Sequence, residues 1–576
     1  MKKYTFGTPE AVKPSNYCKK FQYVESEIKY DVSKIVFKKT ARGCVLEFPM
    51  TADENIFGLG LQLNQMNFTG RHAKLKVNSD PVAATGDSHA PVPFFVSTAG
   101  YGIYFDTARY VEFDFGKKRK GGIKEFSEKN PTVKLSTEEL YTASNTEDSY
   151  ITVCIPVSQG IDIYVFEGET ITDIVSQYNM LSGGGCKVPD WGLGLWYRCC
   201  GTYTQEQVLA TAKYFQDKEI PCSVIGIEPG WQTRAYSCTF EWNKEHFPKP
   251  KEMLEVLYKE GYHVNLWEHA YTHPASKLYN SIEEYSGNYL VWSGLVPDFT
   301  LEEARVLFAK HHNDNVDFGL VDGYKLDECD SSDFKEGWCF PDCSEFPSGL
   351  DGEQYHCLFG TLYMQTMLKS LNGKETYSEV RSAGALCASY PFVLYSDLYD
   401  HGDFIRGMVT SGFSGLLWTP EVRHADTREE FLRRLQSVVF SVQCLINGWY
   451  CEELPWISFG CEEELRHWIQ EREKLKPLLF DAFVKYEKTG IPPIRALVSD
   501  YTKDQETYFI DDEYIFCDNL IVAPIKAGEK GRKVYLPNGK WKNYFTGEEQ
   551  KCGWFDVETD SIPVYQKIGG EHKRII

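Results

Sequence analysis

The sequence predicts three folded regions: an N-terminal β-sandwich, a central (β/α)8 TIM barrel and a small C-terminal β-sandwich. Three observations predict them. The chain has 576 residues, too many for one hydrophobic core. Short apolar runs with period-two alternation fill both ends of the chain. Between about 190 and 480, strand-like and helix-like runs alternate, as repeated βα units do.

Residues 1–185 form the predicted sandwich. Ile35-Val36-Phe37, Cys44-Val45-Leu46, Gly102-Ile103-Tyr104-Phe105 and Ile151-Thr152-Val153-Cys154 are short runs parted by turn residues. The stretch Ser182-Gly183-Gly184-Gly185 reads as a flexible break. Residues 186–484 form the predicted barrel. Leu195-Trp196, Val224-Ile225, Val264-Asn265-Leu266, Tyr324-Lys325-Leu326, Tyr377-Ser378-Glu379, Phe392-Val393-Leu394 and Leu416-Leu417-Trp418 read as its strands, with amphipathic helix patterns between most of them. No G-x-G-x-x-G follows a strand, which weakens a doubly wound alternative. Residues 485–576 turn β-rich again, with Asn519–Ile525 and Arg532–Trp541 as strand and turn signals.

Composition excludes several partners. The net charge is −21, which repels a phosphate backbone and anionic membrane surfaces and suits a neutral substrate. No run of 18 apolar residues occurs, so no membrane span is expected. The N-terminus carries two lysines but no apolar stretch of a signal peptide, and the 18 scattered cysteines read as reduced thiols, so a cytoplasmic location is expected. Cys339 and Cys343 have no matching second pair. His269, His273, His311 and His312 form no H-E-x-x-H motif, so neither metal nor cofactor is expected. Aromatic residues make up 15% of the chain, and their faces suit sugar rings as well as core packing. The expected partner is a small carbohydrate, and assembly into homo-oligomers is compatible with the sequence.

Barrel chemistry sits where strands end. The predicted ends carry Glu228 with Trp231, Trp267-Glu268-His269, Lys325 with Asp327, Arg381, Asp397, and Trp418 with Glu421 and Arg423. Residues 325–330 crowd Lys325, Asp327, Glu328 and Asp330 together, an arrangement costly to leave unused. Two carboxylates with separate roles are what glycoside hydrolysis needs. Spacing alone leaves Asp327 and Glu328 competing on one strand, and Asp397, Asp400 and Asp403 on another, with Glu421 beside them. Strand alternation puts Lys325 and Asp327 on one face and turns Glu328 away.

The chain resembles glycoside hydrolase family 31, the retaining α-glycosidases. Phe57-Gly58-Leu59-Gly60, Ala90–Ser97 and Gly100–Phe105 look like that family's N-terminal domain. Asp322-Gly323-Tyr324-Lys325-Leu326-Asp327 matches its nucleophile motif D-G-x-K-x-D, so the resemblance implies that Asp327 is the nucleophile. Arg381-Ser382-Ala383-Gly384 followed by Ser396-Asp397 looks like the segment with a sugar-binding arginine and the acid/base aspartate, which implies Asp397 for that role. Val522-Ala523-Pro524 and Val534–Trp541 are similar to the proximal C-terminal domain. Three departures put glucose specificity in doubt. Glu228 stands where the family's α-glucosidases place an Asp. Thr419-Pro420-Glu421-Val422-Arg423 replaces an Asp-Ile-Gly-Gly-like stretch, and Asn447-Gly448-Trp449 replaces an Arg-x-His. The longer carboxylate at 228 is compatible with α-galactosidase-type specificity.

The implied mechanism is double displacement, with the two carboxylates about 5–5.5 Å apart. Lys325 and Arg381 are expected to keep Asp327 ionised, and Asp397 to be partly buried and protonated. Arg381, Glu228 and Trp267 are expected to hold the sugar, with Trp231 and Trp418 as pocket walls. Alternatives are an α-xylosidase or transglycosylase of the same family, or a non-catalytic sugar-binding protein on this fold.

Overall fold

The computed structural model describes residues 1–116, 149–397 and 400–569, except 80 and 82. Two five-stranded antiparallel sheets pack face to face at the N-terminus. Gly43–Met50 shows why: alternate residues are buried, and Leu46 and Phe48 meet Phe95, Phe105 and Ile163 of the facing sheet in one core.

Parallel strands form the centre. The chain order is Leu195–Arg198, Val224–Ile227, His263–His269, Gly323–Asp327, Ser378–Val380, Phe392–Leu394 and Cys444–Asn447, and hydrogen-bonded neighbours follow that order around the sheet. Between the last two lies segment 416–422. It bridges Leu394 through Trp418 and Ile446 through Val422, and so closes the barrel with an eighth, reduced strand. Helices such as Gln205–Asp217, Pro250–Lys259, Gly352–Ser370 and His401–Ser411 cover it. The connection 381–391 is too short for a helix, and the N-terminal region fills the gap. Cys18 Sγ reaches Leu386 O, Tyr178 OH accepts from Leu386 N, and Ser382 Oγ donates to His89 O.

The Gly183–Gly185 stretch is not a flexible break. A Cβ on Gly184 would sit 2.1 Å from Glu487 O, and one on Gly185 would overlap the Tyr486 ring at 2.2 Å. The glycines let the chain pass against the 28-residue helix Glu462–Thr489. That helix ends at Gly490 in the left-handed conformation and leads into a six-stranded C-terminal sheet, with Gly531–Leu536 and Gly553–Glu558 paired beside it. Among the described residues no disulfide joins the cysteines.

Candidate active site

Each barrel strand ends in a polar side chain, and these converge. Asp327 closes its strand and accepts a hydrogen bond on each oxygen: Trp267 Nε1 donates to Oδ2 at 2.8 Å and Glu328 N to Oδ1 at 2.9 Å. Strand register pairs Trp267 with Lys325 and His269 with Asp327, which brings the Trp267 indole beside the carboxylate. Trp267 therefore orients Asp327 as well as lining the site.

Lys325 shares the inward face, as alternation requires, yet its partner is not Asp327. Its ammonium lies 3.4 Å from Glu228 Oε1 and 4.7 Å over the Tyr395 ring. Glu228 also accepts from Arg198 Nε. Burial works to raise the Glu228 carboxyl, but Arg198 and then Lys325 outweigh it and hold the group below the usual carboxylate range. Arg198 is fully buried and donates from Nη1 to Glu379 Oε2 at 2.6 Å and to Asn265 Oδ1 at 2.7 Å. Gly226 makes room for it, since a Cβ there would lie 2.7 Å from Arg198 Cγ. Burial pushes Glu379 up, only partly offset by Arg198 and Lys325. Arg198 and Glu379 were not among the expected site residues. The available signals were a charge closing Leu195-Trp196-Tyr197 and another inside a strand.

Arg381 joins two other aspartates. Its Nε donates to Asp330 Oδ2 at 2.7 Å and its Nη1 pairs with Asp397 Oδ2 at 2.9 Å. Asp330, which had no expected role, is buried and anchors that guanidinium. Asp397 is partly buried, with a side chain 42% exposed, as expected. Arg423 Nη1 contacts its other oxygen. Two guanidinium groups on one carboxylate stabilise its ionised form by Coulomb attraction.

A second carboxyl crowds the nucleophile. Glu328 was expected to turn away from the site. Its φ of +56° breaks the strand alternation and swings it round. Burial, then Asp327 and Asp330, push its carboxyl well above the usual range. Glu328, Tyr236 and Tyr395 each feel the charges of both Asp327 and Asp397, so both aspartates lie within electrostatic range of these three side chains.

Trp231 and Trp418 are not pocket walls. Both are essentially fully buried. Trp231 Nε1 donates to Trp267 O at 2.7 Å and Trp418 Nε1 to Phe404 O at 3.0 Å, so each indole packs behind the strand ends. Two of the three departures from the family pattern meet in space. Asn447 Nδ2 donates to Glu421 Oε2 at 3.1 Å, Arg423 Nη1 lies 3.5 Å from Glu421 Oε1, and the Arg423 guanidinium sits 5.5 Å over Trp449. Burial pushes the Glu421 carboxyl up against the pull of Arg423. Among the described residues no group of three His, Cys, Asp or Glu side chains is placed to hold a metal ion, and no helix is long and apolar enough to cross a membrane.

The arrangement is two carboxylates at the strand ends of a barrel, one held by an indole and the other by two guanidinium groups. Comparison with known proteins agrees with it. Residues 186–482 match the glycosyl hydrolases family 31 TIM-barrel domain, 490–570 its C-terminal domain, and 26–114 its N-terminal galactose mutarotase-like domain. An α-xylosidase of Emericella nidulans is 23% identical, over 92% of this chain and 66% of its own length. Alpha-glucosidase 2 of Bacillus thermoamyloliquefaciens is 26% identical, over 92% of this chain and 69% of its own. The chain thus spans about two thirds of the length of these relatives. The fold is that of a Flavobacterium johnsoniae family 31 dextranase solved with glucose, with a TM-score of 0.78 at 22% identity, covering 93% of this chain and 68% of that one. A family 31 α-xylosidase from a soil metagenome, solved with xylose, superposes with a TM-score of 0.76 at 19% identity, over 94% of this chain and 83% of its own. With the family's barrel model matching more than half of its residues and the flanking domain models matching on either side, the chain belongs to glycosyl hydrolase family 31.

Proposed function

We propose that the protein is a retaining, exo-acting α-glycosidase that removes terminal α-linked sugars from small saccharides or glycosides. The observation that carries this is that Asp327 and Asp397 follow strands two apart around the barrel and that both act on Glu328, Tyr236 and Tyr395. Asp327 attacks the anomeric carbon and forms a β-glycosyl-enzyme while Asp397 protonates the leaving oxygen. Asp397 then takes a proton from water, which attacks the same carbon and releases the sugar with its configuration retained. Trp267 holds Asp327 in its attacking orientation. Before the first step Asp397 needs a proton, so contact with at least one guanidinium has to loosen as sugar hydroxyls arrive. Arg381 and Arg423 are the groups that exchange their ion pairs with Asp397 for hydroxyl contacts, and Glu228 receives further hydroxyls. Transfer to a sugar acceptor uses the same intermediate, and an isomaltosyltransferase of Sporosarcina globispora is among the relatives, at 21% identity.

The specificity proposed is of α-glucosidase or α-galactosidase type, and the longer carboxylate of Glu228 suits the second. The xylosidase relatives give α-xylosides equal support. Cysteines that form no disulfide among the described residues support a cytoplasmic setting and therefore small soluble substrates. A panel of aryl α-glucoside, α-galactoside, α-xyloside and α-N-acetylgalactosaminide tests the reading: turnover of one of them supports it, and inertness toward all of them favours the non-catalytic sugar-binding alternative.

Glu328 supports a second reading, because burial and the neighbouring charges of Asp327 and Asp330 push its carboxyl well above the usual range. In that reading Glu328 supplies the first proton. Glu328→Gln would then abolish cleavage of unactivated glycosides and spare aryl glycosides with good leaving groups, and Asp397→Asn would not.

A further inference from the structure

An aromatic path leads out of the cleft, and the double displacement makes no use of it. It starts at Trp267, which donates to Asp327. The Tyr236 ring lies 5.6 Å from Trp267 and 5.0 Å from Trp292, and Trp292 lies 5.5 Å from Trp338. Phe334 stands four residues before Trp338 and pairs with Tyr289 at 5.9 Å. Three separate segments supply these rings: the loop after Val224–Ile227, the hairpin Ser286–Pro297, and the loop after Asp327. Hydrogen bonds join them, since Trp292 N donates to Gly337 O at 2.9 Å and Ser237 Oγ donates to Trp292 O at 3.2 Å.

Two properties separate the path from core packing. Tyr236, Phe334 and Trp338 are 52%, 56% and 50% exposed, and large rings clustered in water mark a binding surface. The hairpin tip is also strained. Trp292 and Ser293 hold φ of +47° and +62°, where such two-residue turns ordinarily carry Asn and Gly. A bulky ring kept in that conformation is being placed, at a conformational cost.

We propose that Tyr236, Trp292, Trp338 and Phe334 form leaving-group subsites that stack successive neutral sugar rings of an α-linked oligosaccharide. Sugar rings lay their C–H faces on such rings and leave their hydroxyls in water. Continuity with Asp327 through Trp267 favours a saccharide over a protein partner, which would need no path to the nucleophile. The charge of −21 favours a neutral ligand. The inference rests on the glycosidase reading and narrows its substrate to saccharides with sugar residues beyond the scissile bond.

Wild type, Trp338→Ala and Phe334→Ala are compared on a trisaccharide and on a 4-nitrophenyl α-glycoside with the same terminal sugar. Maltotriose, isomaltotriose, raffinose and an α-xylosyl xyloglucan oligosaccharide cover the glucosyl, galactosyl and xylosyl ends. Loss of an aromatic anchor lowers the trisaccharide-to-aryl ratio of kcat/KM about tenfold, mainly through KM. An unchanged ratio overturns the proposal. Calorimetric titration of Asp327→Ala with the same saccharides keeps the two readings apart. Binding that weakens about tenfold when Trp338→Ala is added supports the subsites even where wild type turns nothing over, an outcome that sinks the hydrolase reading alone. Turnover with ring variants indistinguishable from wild type sinks the subsites alone. No binding of any of these saccharides overturns the proposal.

Discussion

Arg423→Met tests how the site sets the charge of its acid. The Arg423 guanidinium contacts one Asp397 oxygen while Arg381 holds the other. A unit charge at 4 Å is worth about 1 kcal/mol in water and about 4 kcal/mol at an effective dielectric of 20. The Asp397 side chain is 42% exposed, so solvent screening sets the loss nearer the lower figure, about 1–2 kcal/mol. That corresponds to roughly one pKa unit. The sign follows from the charge: with one cation gone the acid form persists to higher pH. The basic limb of the kcat/KM profile, which reports the acid of the free enzyme, should therefore move up by about one pH unit. The assay is kcat/KM against pH on an aryl α-glycoside with a poor leaving group. Arg423→Lys serves as the charge-keeping control and should hold the wild-type position. Lost sugar contacts change the height of the profile, so the limb position isolates the electrostatic effect. A basic limb that stays put, or moves down, refutes the assignment of Asp397 as an acid controlled by Arg423.

Other outcomes follow from the same structure. Arg198→Met leaves Glu228 and Glu379 buried without their shared cation and should cost about 3–5 kcal/mol, read by urea denaturation. Adding Glu379→Gln should recover part of that loss, and an additive double mutant would show that Arg198 and Glu379 do not interact. Behind the site, Glu268 accepts from Tyr363 OH at 2.8 Å and faces His312 Nε2 at 2.9 Å. Burial disfavours the imidazolium, but Glu268 overrides it and raises His312 above its ordinary 6.5. The pair's stabilisation is therefore full below the unfolded value of about 6.5 and fades as pH rises through the folded one. The melting-temperature gap between wild type and His312→Gln should narrow as pH rises past 6.5, and a gap that widens contradicts the assignment. Trp267→Phe keeps the ring and removes the hydrogen bond to Asp327. It should lower kcat by roughly tenfold or more with KM little changed, as loss of a bond to a charged group implies.

The barrel was legible because its signal is repeated. Apolar runs ending in Asp327, Arg381, Asp397 and Glu421 recur at βα spacing, and each repetition supports the others. What was not legible is which way side chains turn once the strands end. Alternation places Lys325 and Asp327 correctly and fails one residue later, because the +56° φ of Glu328 is a property of the loop. Trp231 and Trp418 stand at strand ends like the site residues, but each spends its indole N–H on a backbone carbonyl behind them. Ion-pair partners were equally hidden. Lys325 sits two residues from Asp327 in sequence, yet pairs with Glu228 from two strands away around the barrel. Closure of the barrel decides that, through the register that also brings Arg198 between Glu228 and Glu379.

The central claim is that Asp327 becomes covalently glycosylated. A 5-fluoro glycosyl fluoride of the preferred sugar slows release of the intermediate and lets it accumulate, and peptide mass spectrometry then locates the label. The account predicts one sugar per chain on the carboxyl of Asp327, and none in Asp327→Ala. A label on Glu328, Asp330 or Asp397, or turnover with no covalent adduct, would contradict it.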